Sequence, residues 1–158
     1  MHIALPLLAG LLVLGPPWIS IELPANPHDP ATRGAYLLVH AFHHGTPMAF
    51  PITGTAEGLV NGERRTVKLA FERTTREGVY ALRKQWQDEG EWTLVISVSQ
   101  GRDDVAQAMV QISGGEVIAV RVPTDERNGW RIPRRISRAE IEASLRDRPV
   151  RMAQARNP

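Results

Sequence analysis

His40, His43, His44 and Met48 are the side chains of this sequence best suited to chemistry. They fall in the stretch HAFHHGTPM, which holds three of the five histidines and one of the four methionines. Imidazole nitrogens and a thioether sulfur together form a donor set that copper accepts. Spacing works against a site shared by all four. Side chains alternate along a strand, so His40 and His44 point to one face and His43 to the other. Four residues of strand also put His40 and His44 about 13 Å apart. Only His43 or His44, folded at the turn with Met48 or a distant ligand, can then chelate. The competing reading is a strand that ends in imidazoles beside a turn, with His28 in a separate loop.

Other chemistry is sparse. There is no cysteine, which removes disulfides, thiolate zinc sites and thiol nucleophiles. No G-x-S-x-G elbow, H-E-x-x-H helix, P-loop or G-x-G-x-x-G fingerprint occurs, and HAFHH lacks the glutamate of a zinc protease. Glu57, between glycines in TGTAEG, has no evident partner acid or base and reads as a solvated strand residue. Trp86 and Trp92 bracket QDEGE; they suit a ligand grip, or packing at the end of a sandwich, and packing is expected. Arg131, Arg134, Arg135 and Arg138 form a basic cluster, either a solvated tail or a peripheral contact with anionic lipid. No catalytic residue is expected.

The elements that must position these residues follow from period-two alternation. There are eight candidate strands: WISIEL, AYLLVHAFHH, FPITGTAEGLV, RTVKLAF, VYALRKQW, WTLVISV, VAQAMVQI and EVIAVRV, of which AYLLVHAFHH is apolar on both faces, as a covered central strand would be. Trp92, Leu94, Ile96 and Val98 share one face of the sixth. PANPHDPATRG reads as a loop, and HGTP turns the chain. Asn61-Gly62 and Gly114-Gly115 suit two-residue hairpins, because both central residues need positive φ. The glycines of ITGTAEGLV signal a bulge or a close backbone approach. About seven or eight short strands with turn residues between them predict an all-β, antiparallel, immunoglobulin-like sandwich over residues 18–122.

Two segments flank it. Residues 1–17 contain an apolar run, Ile3–Leu14, stopped by Pro16-Pro17 and too short to span a bilayer. It fits the core of a signal peptide, although no Lys or Arg precedes it; an uncleaved anchor and a buried first element are the other readings. A cleaved product would start just before Trp18, in the periplasm or outside the cell. Residues 123–158 read as a linker with Trp130 as an anchor, then a short helix and a disordered tail after Pro149. Ser137 and Glu140 make a capping box for that helix, whose thin apolar stripe is Ile141 and Leu145. The formal net charge is only +2, so nucleic acid is not an expected partner. Residues 121–158 nevertheless carry ten basic against five acidic side chains.

GAYLLVHAFHHGTPM…ITGTAEGLV followed by GVYALRKQWQDEGEWTLVISV resembles the exported immunoglobulin-like domains of the YtkA-like and FixH-like families. Gly78, Val79, Tyr80, Gly90, Trp92 and Leu94 carry the cadence. The resemblance spans residues 18–122 and implies the sandwich fold, an extracytoplasmic setting, and a link in some relatives to membrane-complex assembly or copper supply. FixH-like proteins keep a full membrane anchor, and Ile3–Leu14 is shorter than one. Read physically, Gly78 and Gly90 release the chain at turns while Tyr80 and Trp92 fill the space between sheets. The expectation is a non-catalytic exported module that binds a protein partner. The alternative is a periplasmic copper-binding protein using His43, His44 and Met48, and a hydrolase with a dispersed site ranks last.

Overall fold

The computed structural model describes residues 15–23 and 25–146. The leader run Ile3–Leu14 and the tail expected to be disordered after Pro149 lie outside the described residues. The first strands are β1 (Trp18–Glu22), β2 (Leu37–His43), β3 (Thr46–Pro47), β4 (Ile52–Val60), β5 (Glu63–Lys68) and β6 (Glu72–Arg73). They are followed by β7 (Val79–Leu82), β8 (Glu91–Gln100), β9 (Asp104–Ser113) and β10 (Glu116–Arg121). A hairpin of β11 (Thr124–Arg127) and β12 (Trp130–Pro133) then leads to helix α1 (Arg138–Arg146). Each of the eight candidate runs overlaps one of the longer strands before residue 123. β3 and β6 are two-residue pairings that the alternation does not show.

One sheet has the order β1-β2-β7-β6, with β3 also on β2; the other has the order β10-β9-β8-β4-β5. All pairings are antiparallel. This is the strand order of an immunoglobulin-like sandwich with β10 added beyond the last strand of the second sheet. Four two-residue turns set the hairpin registers, at His44-Gly45, Asn61-Gly62, Gly114-Gly115 and Asn128-Gly129. All eight turn residues have positive φ, the geometry whose twist matches that of paired strands.

The two inner faces meet in one core. Ile19, Leu37, Val39 and Tyr80 come from the first sheet; Ala56, Trp92, Leu94, Ile96 and Val110 come from the second. Trp92 fills the widest part of the gap because Gly58 lies opposite it in the β4–β8 register. A β-carbon on Gly58 would sit 2.5 Å from the indole, so the approach is open only to glycine. Close approach, and not a bulge, is therefore the use of the β4 glycines; β4 pairs with both neighbours without a register break. The irregularity lies in β10, between Val117 and Ala119. Trp92 Nε1–H donates to the Glu89 carbonyl at 2.9 Å, and the Tyr80 hydroxyl donates to the Phe50 carbonyl at 2.7 Å. Trp92 and Tyr80 thus bury their rings and satisfy their polar tips.

Leu38, Val79 and Ala81 point the other way from the first sheet and are covered by the proline-rich loop through Ala25 and Ala35. This explains why β2 is apolar on both faces.

Residues 123–133, read from the sequence as a linker, are the hairpin β11–β12, closed by Asn128-Gly129. Trp130 does not anchor it: the side chain is 75% exposed. The helix docks on the outer face of the second sheet through buried Leu145 and Ser144, with the Ser144 and Thr93 hydroxyls 2.6 Å apart. The capping box forms as expected. The Glu140 amide donates to Ser137 Oγ at 3.2 Å, and the Ser137 amide donates to the Glu140 carboxylate at 2.9 Å.

Trp92→Ala should destabilise the fold by about 3–5 kcal/mol, the range for emptying a buried aromatic site. Gly58→Ala should cost about 1–3 kcal/mol through overpacking against the same ring. Urea midpoints of the two variants measure both; a wild-type midpoint for either removes the indole–glycine contact from its central place.

Candidate functional site

The histidine turn is built by the end of β2. His43 is the last strand residue and pairs with Thr46, while His44 and Gly45 form the turn with φ of 48° and 79°. His44 is therefore committed to a left-handed backbone, a conformation that histidine tolerates better than most side chains. The His43 and His44 rings meet edge to face with centroids 4.3 Å apart. His43 Nε2 lies 3.1 Å from the Gly15 carbonyl oxygen. A carbonyl only accepts, so Nε2 is the nitrogen that donates here. Gly15 also runs beneath His44, whose Nε2 would be 3.2 Å from a β-carbon there. Together the two imidazoles clasp the chain where it enters the fold, and Pro17 next to this clasp is buried. Gly15–Pro17 thus belongs to the folded unit, ahead of the boundary read at Trp18.

His40 points away from the clasp. Its Nε2 is 2.7 Å from Glu22 Oε2, and Arg76 reaches the same carboxylate oxygen at 3.6 Å. Met48 is half-buried and donates its amide to the Ala41 carbonyl at 3.0 Å. His28 is exposed in the proline-rich loop. Among the described residues, no three His, Cys, Asp or Glu side chains converge on one point. As a copper site the turn offers two adjacent imidazoles and no third donor of those types among the described residues, which is an incomplete set.

The remaining sequence candidates are placed in the framework. Trp86 is buried and meets Tyr36 edge to face at 5.0 Å, and Trp92 lies in the core. The Tyr36 phenol is raised above its ordinary value by burial and by the Glu116 carboxylate, and its O–H donates to the Gly115 carbonyl at 3.0 Å. Glu57 is not a solvated strand residue: its side chain is only 12% exposed beside α1. It accepts from Thr66 Oγ1 at 3.1 Å and faces Arg138 at 3.5 Å.

The basic cluster is largely spent on fastening the C-terminal segment. Arg134 grips Glu140 with two nitrogens at 2.9 and 2.8 Å and also faces Asp125 at 3.4 Å. Arg138 pairs with Glu142 at 3.0 Å, and Glu142 in turn receives Arg64 from β5. Hydrogen bonds from Arg134 and then from Ser137 lower the Glu140 pKa from its ordinary 4.5 to about 2. The Arg64–Glu142 and Arg138–Glu57 ties could not be found by alternation, since they join the helix to strands far away in the sequence.

Fold and side chains define an all-β sandwich module with a capped helix fastened to one face. Comparison with protein-family models, with curated proteins and with solved structures found no match.

His44→Val should lower stability by about 1–3 kcal/mol through a β-branched side chain at positive φ, while His44→Asn should leave it nearly unchanged. Thermal melting of the pair reads the difference; equal loss in both would mean that the ring, and not the backbone, is what matters. Glu140 has a depressed folded pKa, so its contribution is present above 4.5 and is lost as pH falls toward about 2. The urea midpoint of Glu140→Gln should therefore lie below wild type at pH 6 and converge with it on acidification. A gap that stays constant with pH would sink the assignment.

Proposed function

We propose that the chain is an exported, non-catalytic β-sandwich module that binds a protein partner by accepting a strand at the free edge of β1. One observation carries this. The Ala41 amide donates to the Gly78 carbonyl at 2.8 Å, and the Ala41 carbonyl accepts from the Met48 amide at 3.0 Å. Both backbone groups of Ala41 thus face away from β1. Its partner in register, Ile19, then sits in a non-hydrogen-bonded pair and turns its own N–H and C=O outward, and Ile21 repeats this two residues on. Among the described residues these edge groups have no backbone partner, and such groups are what an added strand takes up.

The other long edges are guarded. β5 reads ERRTVK, with charges along its length, and β10 carries the register break. Both are recognised defences against pairing with another chain. β1 has neither within Trp18–Ile21. It packs across from β9, so β1 and β10 close the same side of the sandwich. Trp18 (37%), Leu23 (36%) and Val120 (40%) are three of the four exposed large apolar side chains among the described residues, and all lie on this side. They offer apolar area beside the edge.

Export to the periplasm or beyond is supported by the apolar run Ile3–Leu14 and by the YtkA-like and FixH-like cadence. The non-catalytic reading is supported by what the polar candidates do: Glu57, Glu140 and Arg134 tie the helix down, and Trp86 and Trp92 pack. Copper binding at His43, His44 and Met48 is the lesser reading, with two adjacent imidazoles in its favour.

A photo-reactive amino acid at Ser20 on β1, compared with one at Thr66 on β5, tests strand acceptance in the producing cell. Discrete cross-linked adducts are expected from position 20 and not from position 66. Adducts from neither position, or equally from both, would refute the edge as the docking surface.

A further inference from the structure

We propose that the end of the sandwich at which the leader joins is a membrane-contact face, with the hairpin β11–β12 placing Trp130 in the interfacial layer of a lipid bilayer. Trp130 is the most exposed large apolar side chain among the described residues. It sits beside the Asn128-Gly129 turn, opposite Arg127 in register, and Arg131 follows it. Among the described residues neither arginine has a carboxylate within ion-pair distance, and no other aromatic ring meets the indole. A tip made of indole, amide and guanidinium groups matches the headgroup level of a bilayer. Tryptophan is enriched there, and arginine can lay its stem along apolar surface while its charge stays in water.

Placement supplies the second, independent support. Pro16 lines the same open cleft as Arg127 and Ile132 of the hairpin, together with Asp104 and Arg135. Gly15, one residue earlier, is clasped by His43 and His44 at this end. The chain at Pro16 therefore meets the hairpin that carries Trp130. Twelve residues reach about 18 Å even when fully helical, short of the roughly 30 Å hydrocarbon core, yet enough to enter one leaflet. An apolar segment held in a leaflet would bring this end, and Trp130 with it, to the surface.

Charge decides which bilayer. Arg102, Arg127, Arg131, Arg134 and Arg135 at this end are offset by Asp103, Asp104, Asp125, Glu126 and the Glu140 carboxylate that Arg134 holds. The face is close to neutral, so the indole carries the contact and a zwitterionic surface suffices. None of this depends on the β1 edge, and the two tests fail separately.

The experiment uses the full chain with phosphatidylcholine vesicles whose acyl chains are brominated, reading tryptophan fluorescence. Wild type should be quenched; Trp130→Phe should lose most of that quenching, and Trp18→Phe should retain it. Trp130 packs against so little that the variant should melt like wild type, which a thermal scan checks. Equal quenching in wild type and Trp130→Phe, or none in either, would overturn the proposal. Binding confined to anionic vesicles would overturn the role given to the indole.

Discussion

The indole of Trp92 occupies space that only a glycine at position 58 leaves open, and the two sheets close around that contact. Glycine in a strand interior weakens the strand, because it adds backbone entropy and removes a packing group. Here the loss is offset by a ring that reaches across the core and by a tip hydrogen bond to Glu89. Gly54 repeats the arrangement one turn of the pleat pattern away, where a β-carbon would press on Val95, Phe71 and Leu69. The inner face of β4 is therefore a row of small residues, Gly54, Ala56 and Gly58, between Ile52 and Val60. Large side chains from neighbouring segments fill that row. Gly78 and Gly90, each two residues before a buried aromatic, bring Tyr80 and Trp92 into strands at the right face. What resembles a family cadence in the sequence is, in the fold, a packing arrangement.

Once the core is set, edges and ends determine what the surface can do. Three of the long edge strands have different fates: β5 is charged, β10 is irregular, and β1 keeps outward backbone groups. The two ends also differ. At one, Tyr36 and Trp86 close over the core, with Tyr36 bonded to Gly115. At the other, polar turns surround the point where the chain enters, and the β11–β12 hairpin projects from it. The helix adds a third condition by covering Thr93 and Gln111, polar residues that would otherwise lie on an open sheet face. Its fastening is mainly electrostatic and hydrogen-bonded, since Leu145 is its one buried apolar side chain.

Much of this was legible in the sequence, and the omissions have physical causes. Alternation located strands such as β4 and β8, with one face in the core, while β2 and β7 are buried on both faces. Parity along β2 separated His40 from His43, but it also set His44 opposite His43, whereas the left-handed turn at His44 brings the two rings to 4.3 Å. Asn61-Gly62 and Gly114-Gly115 were read as hairpins because apolar alternation flanks them. Asn128-Gly129 is the same signal, but TDER and WRIP around it show no alternation, since that hairpin lies mostly in water. A hairpin with little to bury is hard to tell from a linker. Trp130 was read as an anchor because large aromatics usually bury, and its exposure became visible only with the hairpin in place. The role of Glu57 was hidden for another reason: Arg138 lies eighty-one residues later, and no local pattern encodes a partner at that distance.

The histidine turn shows how one backbone requirement limits chemistry. A two-residue hairpin needs two residues at positive φ, and here His44 supplies the first. That fixes its Cα direction and brings its ring against His43, whose Nε2 proton is already committed to Gly15. A metal would have to draw on the remaining nitrogens of two rings held by other duties, with no third acidic or imidazole donor near among the described residues. The same geometry is well suited to holding a passing stretch of backbone. Two flat rings beside a residue with no side chain leave room for the backbone to pass, and a β-carbon at Gly15 would crowd His44. At Gly15 the imidazoles give a milder version of what Trp92 does in the core: a ring seated against a glycine, where a β-carbon would require the ring to shift by a few tenths of an ångström.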